Sequence, residues 1–324
     1  METEQPATRK RRKKRRIRLR GILFLLFIGV IAAGAYVYMQ FQSGHKLAEE
    51  QTEELPTIDF AGDPEEKGFE NILVLGVDAR GEETSRTDTM MLVSHNKETD
   101  EVKVASFMRD IYAEIPGYQS YKLNTAYYLG EKEGGMEGGI DLLADTLRGM
   151  FGVEIHHFAL IDFKSFEKLV DIAAPNGVEI DVEKEMSKNI GVKLTPGVQN
   201  LNGKELLGYA RFRADEEGDF GRVRRQQQVM AAMKDELLSV TAIPKYPKLA
   251  GAAQGYIQTD MPMSDQIKMA TSIATSGGTE VERLTLPVKD SYSFGSYSHA
   301  GSVIEMDVEQ NKQALSEFLS QPLE

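Results

Sequence analysis

Cysteine is absent from all 324 residues, which excludes disulfides, thiolate metal ligands and a cysteine nucleophile but says nothing about compartment. Three short catalytic signatures are missing as well: there is no GxxxxGK(S/T) phosphate loop, no GxSxG elbow and no HExxH zinc helix. The segment GGMEGG, residues 134–139, is rich in glycine but wrongly spaced for a phosphate loop, and it reads as a flexible loop before a helix. Histidine is scarce, at five residues. The adjacent pair His156 and His157 lies in a strand pattern whose neighbours face opposite sides, so the two do not chelate one metal.

Positive charge is in short supply overall but not locally. Lys and Arg number 38 against 50 Asp and Glu, a net charge of −12, yet the first twenty residues hold ten of the basic residues and only two acids. Next comes GILFLLFIGVIAAGAYVYM, residues 21–39, with no charge at all. As a helix it measures about 28 Å, enough to cross a bilayer once. Basic residues resist translocation, so the expected topology is single-pass type II: a cytoplasmic arm over 1–20, a signal-anchor helix over 21–41, and everything after it outside the cell membrane. The competing readings are a signal peptide cleaved near Ala33-Gly34-Ala35 and a basic arm for nucleic acid. No nucleic-acid partner is expected for an extracellular domain.

Residues 42–68 are acidic, broken by Pro and Gly and poor in apolar side chains, as in a linker. Folded sequence starts at FENILVLGVD, a buried strand, followed by strands at 89–95 and 101–107 flanking a polar turn. Helix and strand patterns then alternate: helix at 139–152, strand at 154–162, helix at 163–174, strand at 176–182. Further helices are expected at 221–240, 245–254, 264–274 and after Val308, with a strand at VERLTLP. The fold class is α/β (α+β), a central mixed β-sheet covered by helices on both faces, forming one domain over 69–324.

Within this acidic domain RFRADEEGDFGRVRRQQQ, residues 211–228, concentrates five arginines in fifteen positions. On a helix starting near Gly221, Arg222 shares a face with Gln226, Val229, Met233 and Val240, whereas Arg224 points almost oppositely. An inward arginine needs an anion. Arg211 and Arg213 share a side if their segment is extended, and GDFG turns the chain back, so three guanidinium groups converge where a helix N-terminus favours phosphate. The competing reading is pairing within the protein, with Asp215, Glu216, Glu217 and Asp219 as partners and Asp219 as a helix cap. Asp78 and Asp88 bracket a loop at the end of the first strand, where α/β folds bind ligands. Two carboxylates suit a hard cation such as Mg2+, completed by water and phosphate oxygens, although either Asp alone could serve a turn or cap. Arg80, Arg86 and Arg109 add positive charge at the same edge, so the set reads as a diphosphate site.

The segments VLGVDAR, RTDTMMLVS, ASFMRDIYAEIPGY, YKLNTAYYLG, FALIDFKSFEKLVDIAAPNGVEIDV and LLGYARFRADEEGDFGRVRRQQQVM together resemble the LytR-CpsA-Psr family of envelope glycopolymer ligases, in order and spacing over about 69–240. The resemblance implies a transferase that takes an anionic glycopolymer, of the wall teichoic acid class, from a polyisoprenyl diphosphate carrier. It attaches the polymer to peptidoglycan by a phosphodiester at the muramic acid 6-hydroxyl. It further implies that Asp78 and Asp88 are the magnesium-associated acids and that Arg86, Arg109, Arg211, Arg213 and Arg222 contact the diphosphate. Asp219 and Gln226 match further site positions, Lys122 matches less strongly, and Arg80 less strongly still.

Hydroxyl attack on a diphosphate concentrates negative charge that arginines and magnesium can stabilise. Asp88 or Asp219 could take the hydroxyl proton, and sequence does not choose between base, metal ligand and arginine orienter. Leu142, Leu147, Phe163, Phe166 and Leu169 could line a sleeve for the carrier's tail or simply pack a core. The stretch DSYSFGSYSHAG is expected to be a surface loop. Two other functions remain open: a membrane-tethered sensor that binds lipid-linked phosphate without turnover, and a hydrolase that uses water as acceptor.

Overall fold

The computed structural model describes residues 31–50, 56–64, 68–78, 86–239, 242–275 and 281–320. The basic arm, the first ten residues of the apolar run, Arg80 and the side chain of Arg86 lie outside this set. Among the described residues no helix is long and apolar enough to cross a membrane.

Three consecutive strands build the centre: β1 (Phe69–Asp78), β2 (Arg86–Asn96) and β3 (Val102–Phe107). They form an antiparallel meander, and β2 reverses into β3 at the Lys97-Glu98-Thr99 turn, where Asn96 Oδ1 accepts from the backbone N–H groups of Glu98 and Thr99. Downstream, α2 (Asn124–Phe151) leads to β6 (His157–Asp162), which pairs parallel with β1. The sheet is completed by β9 (Ile257–Thr259), antiparallel to β6, and β10 (Glu282–Leu286), parallel to β3. Its order is β10-β3-β2-β1-β6-β9, a mixed sheet as the alternating pattern suggested.

Both faces are covered. Leu73, Leu75, Met90 and Leu92 pack with Leu143 and Leu147 of α2 and Leu315 of α8 (Val308–Ser320) in the main core. On the opposite face α5 (Gly218–Leu238) reaches the sheet through Gln227, whose Nε2 donates to Ser106 Oγ at 3.2 Å and Thr285 Oγ1 at 3.0 Å. A second core lies between α3 (Phe163–Ala173), the hairpin β7 (Val178–Val182) and β8 (Gly197–Leu201), α4 (Gly203–Arg211) and α5, with Ile180, Leu206, Tyr209 and Val229 buried in it. The peripheral elements are β4 (Tyr112–Ala113) with β5 (Tyr121–Lys122), α6 (Tyr246–Tyr256), α7 (Met263–Thr275), and the hairpin β11 (Tyr292–Tyr297) with β12 (Gly301–Met306).

Four local expectations differ from the structure. The break expected at GGMEGG is present but shorter than the whole segment: only Gly134 and Gly135 are non-helical, Gly135 with φ of 66°, and they divide α2 into two helical stretches that fold back on each other, since a Cβ on Gly130 would meet Gly138 O at 2.0 Å. Residues 203–211 are helical, not extended, because Asn202 and Glu205 form a reciprocal capping box and Leu206, Leu207, Tyr209 and Ala210 are buried. The arginine-bearing helix starts at Gly218 rather than Gly221, so GDFG is its first turn. DSYSFGSYSHAG is the β11–β12 hairpin. The 42–68 segment also touches the domain: residues 31–49 form a helix (α1) whose Ala48 is fully buried with Ala252 and Tyr256, and Asp63 Oδ2 accepts from Arg148 Nε and from the Ile155 N–H, each at 2.7 Å.

Candidate active site

Asp78 ends β1, and Arg86, paired opposite it, begins β2. Two residues on, the ladder slips: Val77 pairs with Thr87 and Gly76 with Thr89, leaving Asp88 as the extra residue of a β-bulge. A bulge re-aims its side chain out of strict alternation, and this one turns Asp88 towards Arg109, just past the end of β3. Gly76 stands at the slip. A Cβ there would stand 3.0 Å from Thr89 Cβ and 3.2 Å from Thr89 Oγ1.

From the other side of the sheet, the first turns of α5 deliver Asp219, Arg222 and Gln226. Arg222 is 3% exposed, and its Nη1 lies 3.2 Å from Asp219 Oδ1 and 3.9 Å from Asp88 Oδ1. Arg109 bonds Asp88 and places Nη2 3.7 Å from the same Asp219 oxygen. Asp110 hydrogen-bonds Asp219 and accepts from Lys122 Nζ at 2.6 Å. Gln226 Nε2 donates to Thr89 Oγ1 at 2.9 Å, tying the helix to the bulge. Six charged side chains from β2, the β3–β4 connection, β5 and α5 therefore form one network.

That network is neutralised but not satisfied. The Nε atoms of Arg109 and Arg222 and Oδ1 of Asp219 are buried without a hydrogen-bond partner; Arg109 Nε stands 3.5 Å from Asp110 Oδ2 with no bond formed. Two buried guanidinium N–H groups lacking an acceptor are what an incoming oxyanion would satisfy. The carboxylates have diverged in proton affinity. Burial, reinforced by the hydrogen bond to Asp110, pushes Asp219 up to about 6 against the pull of Arg222 and Arg109. Burial also acts to raise Asp110, but hydrogen bonds with Asp219 and Lys122 and the charge of Arg109 outweigh it and hold that carboxyl down at about 2. Burial and the neighbouring Arg109 lower the affinity of Arg222 for its proton, whereas Asp88, Asp219 and Asp110 overcome burial and raise that of Arg109.

Arg211, the last residue of α4, sits at the edge of the network. Its Nη2 is 3.5 Å from Asp78 Oδ2, and its guanidinium lies 4.6 Å from the Phe163 ring centroid. Arg213 is exposed on the segment that follows, so the two arginines do not share the side of one extended strand. Asp219 does not cap α5; it lies in the first turn with its carboxylate directed to Arg109 and Arg222. Arg224 is surface, as its phase implies, bonded to Glu217 and Glu183. The fully buried arginine of the stretch is Arg225, not singled out from sequence: it bonds Asp215, donates to Glu183 Oε1 and Phe212 O at 3.0 Å each, and lies over the Phe212 ring. Its place three residues after Arg222, on a neighbouring helical row, was the available signal. Asp110 was also missed, although it adjoins Arg109 in SFMRD.

Asp78 and Asp88, on adjacent strands and about one-fifth exposed each, are hard oxygen donors of the kind and number that Mg2+ takes from protein. The donor set fits that ion. Among the described residues the one group of three acids close enough to share a cation is Glu183, Asp215 and Glu217, which is already paired with Lys184, Arg224 and Arg225. Of the five residues considered for a lipid sleeve, Leu142 and Leu147 belong with the main core, Phe166 with the second, Leu169 with the α1–α6 contact, and Phe163 lies under Arg211.

The fold and this charge network can be set beside known proteins. The chain is 43% identical over 286 residues to the regulatory protein MsrR of Staphylococcus aureus (strain COL), covering 88% of this chain and 85% of the relative. It is 34% identical over 225 residues to the polyisoprenyl-teichoic acid--peptidoglycan teichoic acid transferase TagU of Oceanobacillus iheyensis, covering 69% of this chain and 68% of the relative. The crystal structure of B. subtilis TagV shares the fold, with a TM-score of 0.63 at 24% identity over 80% of this chain and 100% of that one. The LytR_cpsA_psr family profile matches residues 35–316, and with relatives of this identity and coverage the chain belongs to the LytR_cpsA_psr family.

Proposed function

We propose that this protein is a phosphotransferase that moves an anionic glycopolymer of the wall teichoic acid class from a polyisoprenyl diphosphate carrier to peptidoglycan. The observation that carries the reading is the pair of buried, acceptor-less guanidinium N–H groups of Arg109 and Arg222, held beside a carboxylate whose pKa is pushed up to about 6. The name of the Oceanobacillus relative supplies the carrier and acceptor classes.

In the proposed reaction the muramic acid 6-hydroxyl oxygen attacks the phosphorus joined to the glycopolymer. A new P–O bond forms, the bond to the carrier's own phosphate breaks, and that phosphate leaves with the electron pair. Arg109 and Arg222 take the developing charge on the nonbridging oxygens, with Lys122, Arg211 and Arg213 as further cations. Asp219 accepts the hydroxyl proton, since a carboxylate near 6 is largely ionised at neutral pH yet basic enough to hold it. Gln226 and Thr89 keep α5 in register with the bulge. Asp78 and Asp88 would hold Mg2+, which when bound neutralises phosphate charge.

Placement at the membrane belongs to the same proposal. The basic arm and the apolar run support a type II anchor, and Ile31, Val37, Tyr38 and Met39 of α1 are about half exposed or more, as side chains facing lipid would be. The name of the Staphylococcus aureus relative, a regulatory protein, favours a second reading, a regulator that binds lipid-linked phosphate without turnover. The test is incubation of the full chain in lipid vesicles with lipid-diphosphate glycan, Mg2+ and peptidoglycan fragments. Phosphodiester-linked glycopolymer with equimolar carrier monophosphate is expected. Free glycopolymer phosphate would identify a hydrolase, and binding with no product would leave the regulator.

A further inference from the structure

The β11–β12 hairpin extends an aromatic run from the edge of the main core, where Phe220 and Tyr292 pack, to Phe294, which packing does not account for. Phe294 is 75% exposed, more than any other large apolar side chain among the described residues. Its ring meets Tyr292 edge-on at 5.7 Å, and Tyr292 stacks on Phe220 at 5.2 Å with an interplanar angle of 28°. Phe220 is the residue after Asp219, in the first turn of α5. The aromatic run therefore starts one residue along α5 from Asp219 and ends in solvent. The hairpin is also tied to the site through the backbone, since the Ile304 N–H donates to Asp110 O at 2.8 Å.

Strand alternation sorts the hairpin's side chains by face. Tyr292, Phe294 and Ser296 share one face, and Ser302, opposite Ser296 in the register, joins them. Ile304 and Met306, opposite Phe294 and Tyr292, share that face and pack with the main core, so what it offers to solvent is the Phe294 ring flanked by two hydroxyls. Tyr297 belongs to the other face, where it stacks on Tyr112 at 4.4 Å and donates to Glu305. From 290 to 307 the sequence contains Asp290, Glu305 and Asp307 and no Lys or Arg. A polymer with a phosphate in each repeat would be repelled along this surface, whereas the rings and hydroxyls suit the C–H faces and hydroxyl rims of sugars.

We propose that the Phe220–Tyr292–Phe294 ledge receives the N-acetylhexosamine backbone of the acceptor glycan and feeds its hydroxyl to Asp219. The inference rests on the transferase reading for its role and on the ledge alone for binding. The occupant is the acceptor rather than the donor, because the guanidinium groups that suit the anionic donor are in the network and none is on the hairpin.

The test uses the full chain with Phe294→Ala, and Tyr297→Ala as the control on the opposite face. Phe294 is exposed enough that its truncation spares the core. Losing one stacking platform is expected to raise the acceptor KM about tenfold and to weaken binding of an N-acetylglucosamine–N-acetylmuramic acid tetrasaccharide by about the same factor. The donor KM should stay unchanged, and Tyr297→Ala should alter neither. An unchanged acceptor KM, or a shift in the donor KM instead, overturns the proposal. Should wild-type protein prove inactive, the transferase reading fails while tetrasaccharide binding still decides the ledge: binding lost in Phe294→Ala supports it, and binding equal in both, or absent from wild type, refutes it.

Discussion

At the scale of single residues, the divergence of Asp219 and Asp110 has consequences for both rate and stability. A base with a pKa near 6 gives transfer an acid limb near pH 6; Asp219→Asn should remove that limb and cost about 10²- to 10⁴-fold in rate. Asp110→Asn removes a negative neighbour and should move the limb to lower pH. The stability signs are opposite. Asp219, raised from 3.8, contributes most below that value and loses its contribution as pH rises towards 6; Asp110, depressed, contributes above 3.8 and loses it as pH falls towards 2. Urea titrations from pH 4 to 6 should show a decline for wild type that Asp219→Asn flattens.

The arginines separate by partner rather than by charge. Arg222→Ala should lower transfer and diphosphate binding at least a hundredfold, and Arg222→Lys should rescue little, because a lysine cannot present two N–H groups in one plane. Arg224→Ala should change transfer less than threefold, as exposed ion pairs contribute about 0–1 kcal/mol. Arg225→Ala removes the buried partner of Asp215, leaving it Lys184, and should cost about 3 kcal/mol of stability, read by chemical denaturation. Helical phase in the sequence is enough to turn Arg222 inward and Arg224 outward. It does not say whether an inward arginine meets substrate or protein, and Arg222 and Arg225 took different fates because Glu183 comes from another element.

Among the elements, the β1–β2 pair shows most clearly what a pattern can and cannot convey. Its apolar run marks β1 at its observed bounds, since a strand buried on both faces needs no alternation. The bulge that re-aims Asp88 leaves no such mark, because it arises from the pairing of two strands and not from either one. Gly76→Ala should test its importance: the added Cβ meets Thr89, so β2 must shift and the Gln226 bond to Thr89 must stretch. Expected are a loss of about 1–3 kcal/mol by urea unfolding and a fall in transfer larger than that loss accounts for at assay temperature. Helix α4 is the contrary case, legible through its Asn-x-x-Glu capping box though no helix was assigned there from sequence.

For the whole molecule, the expected topology can be checked on intact cells stripped of wall. Added protease should digest the domain beyond about residue 42, because ten basic residues hold the N-terminus inside. Protection of the domain would reverse the orientation, and a soluble product starting near Tyr36 would indicate cleavage. Charge partition, the apolar run, the mixed α/β class and most strand positions were determined by sequence alone, because burial period and charge are local properties of a chain. The tertiary structure decided the rest. It chose Asp88 and Asp219 as partners of both Arg109 and Arg222, made Asp110 the proton-sharing neighbour, and set Phe220 against Tyr292, since these contacts join residues whose distance along the chain carries no information about their distance in space.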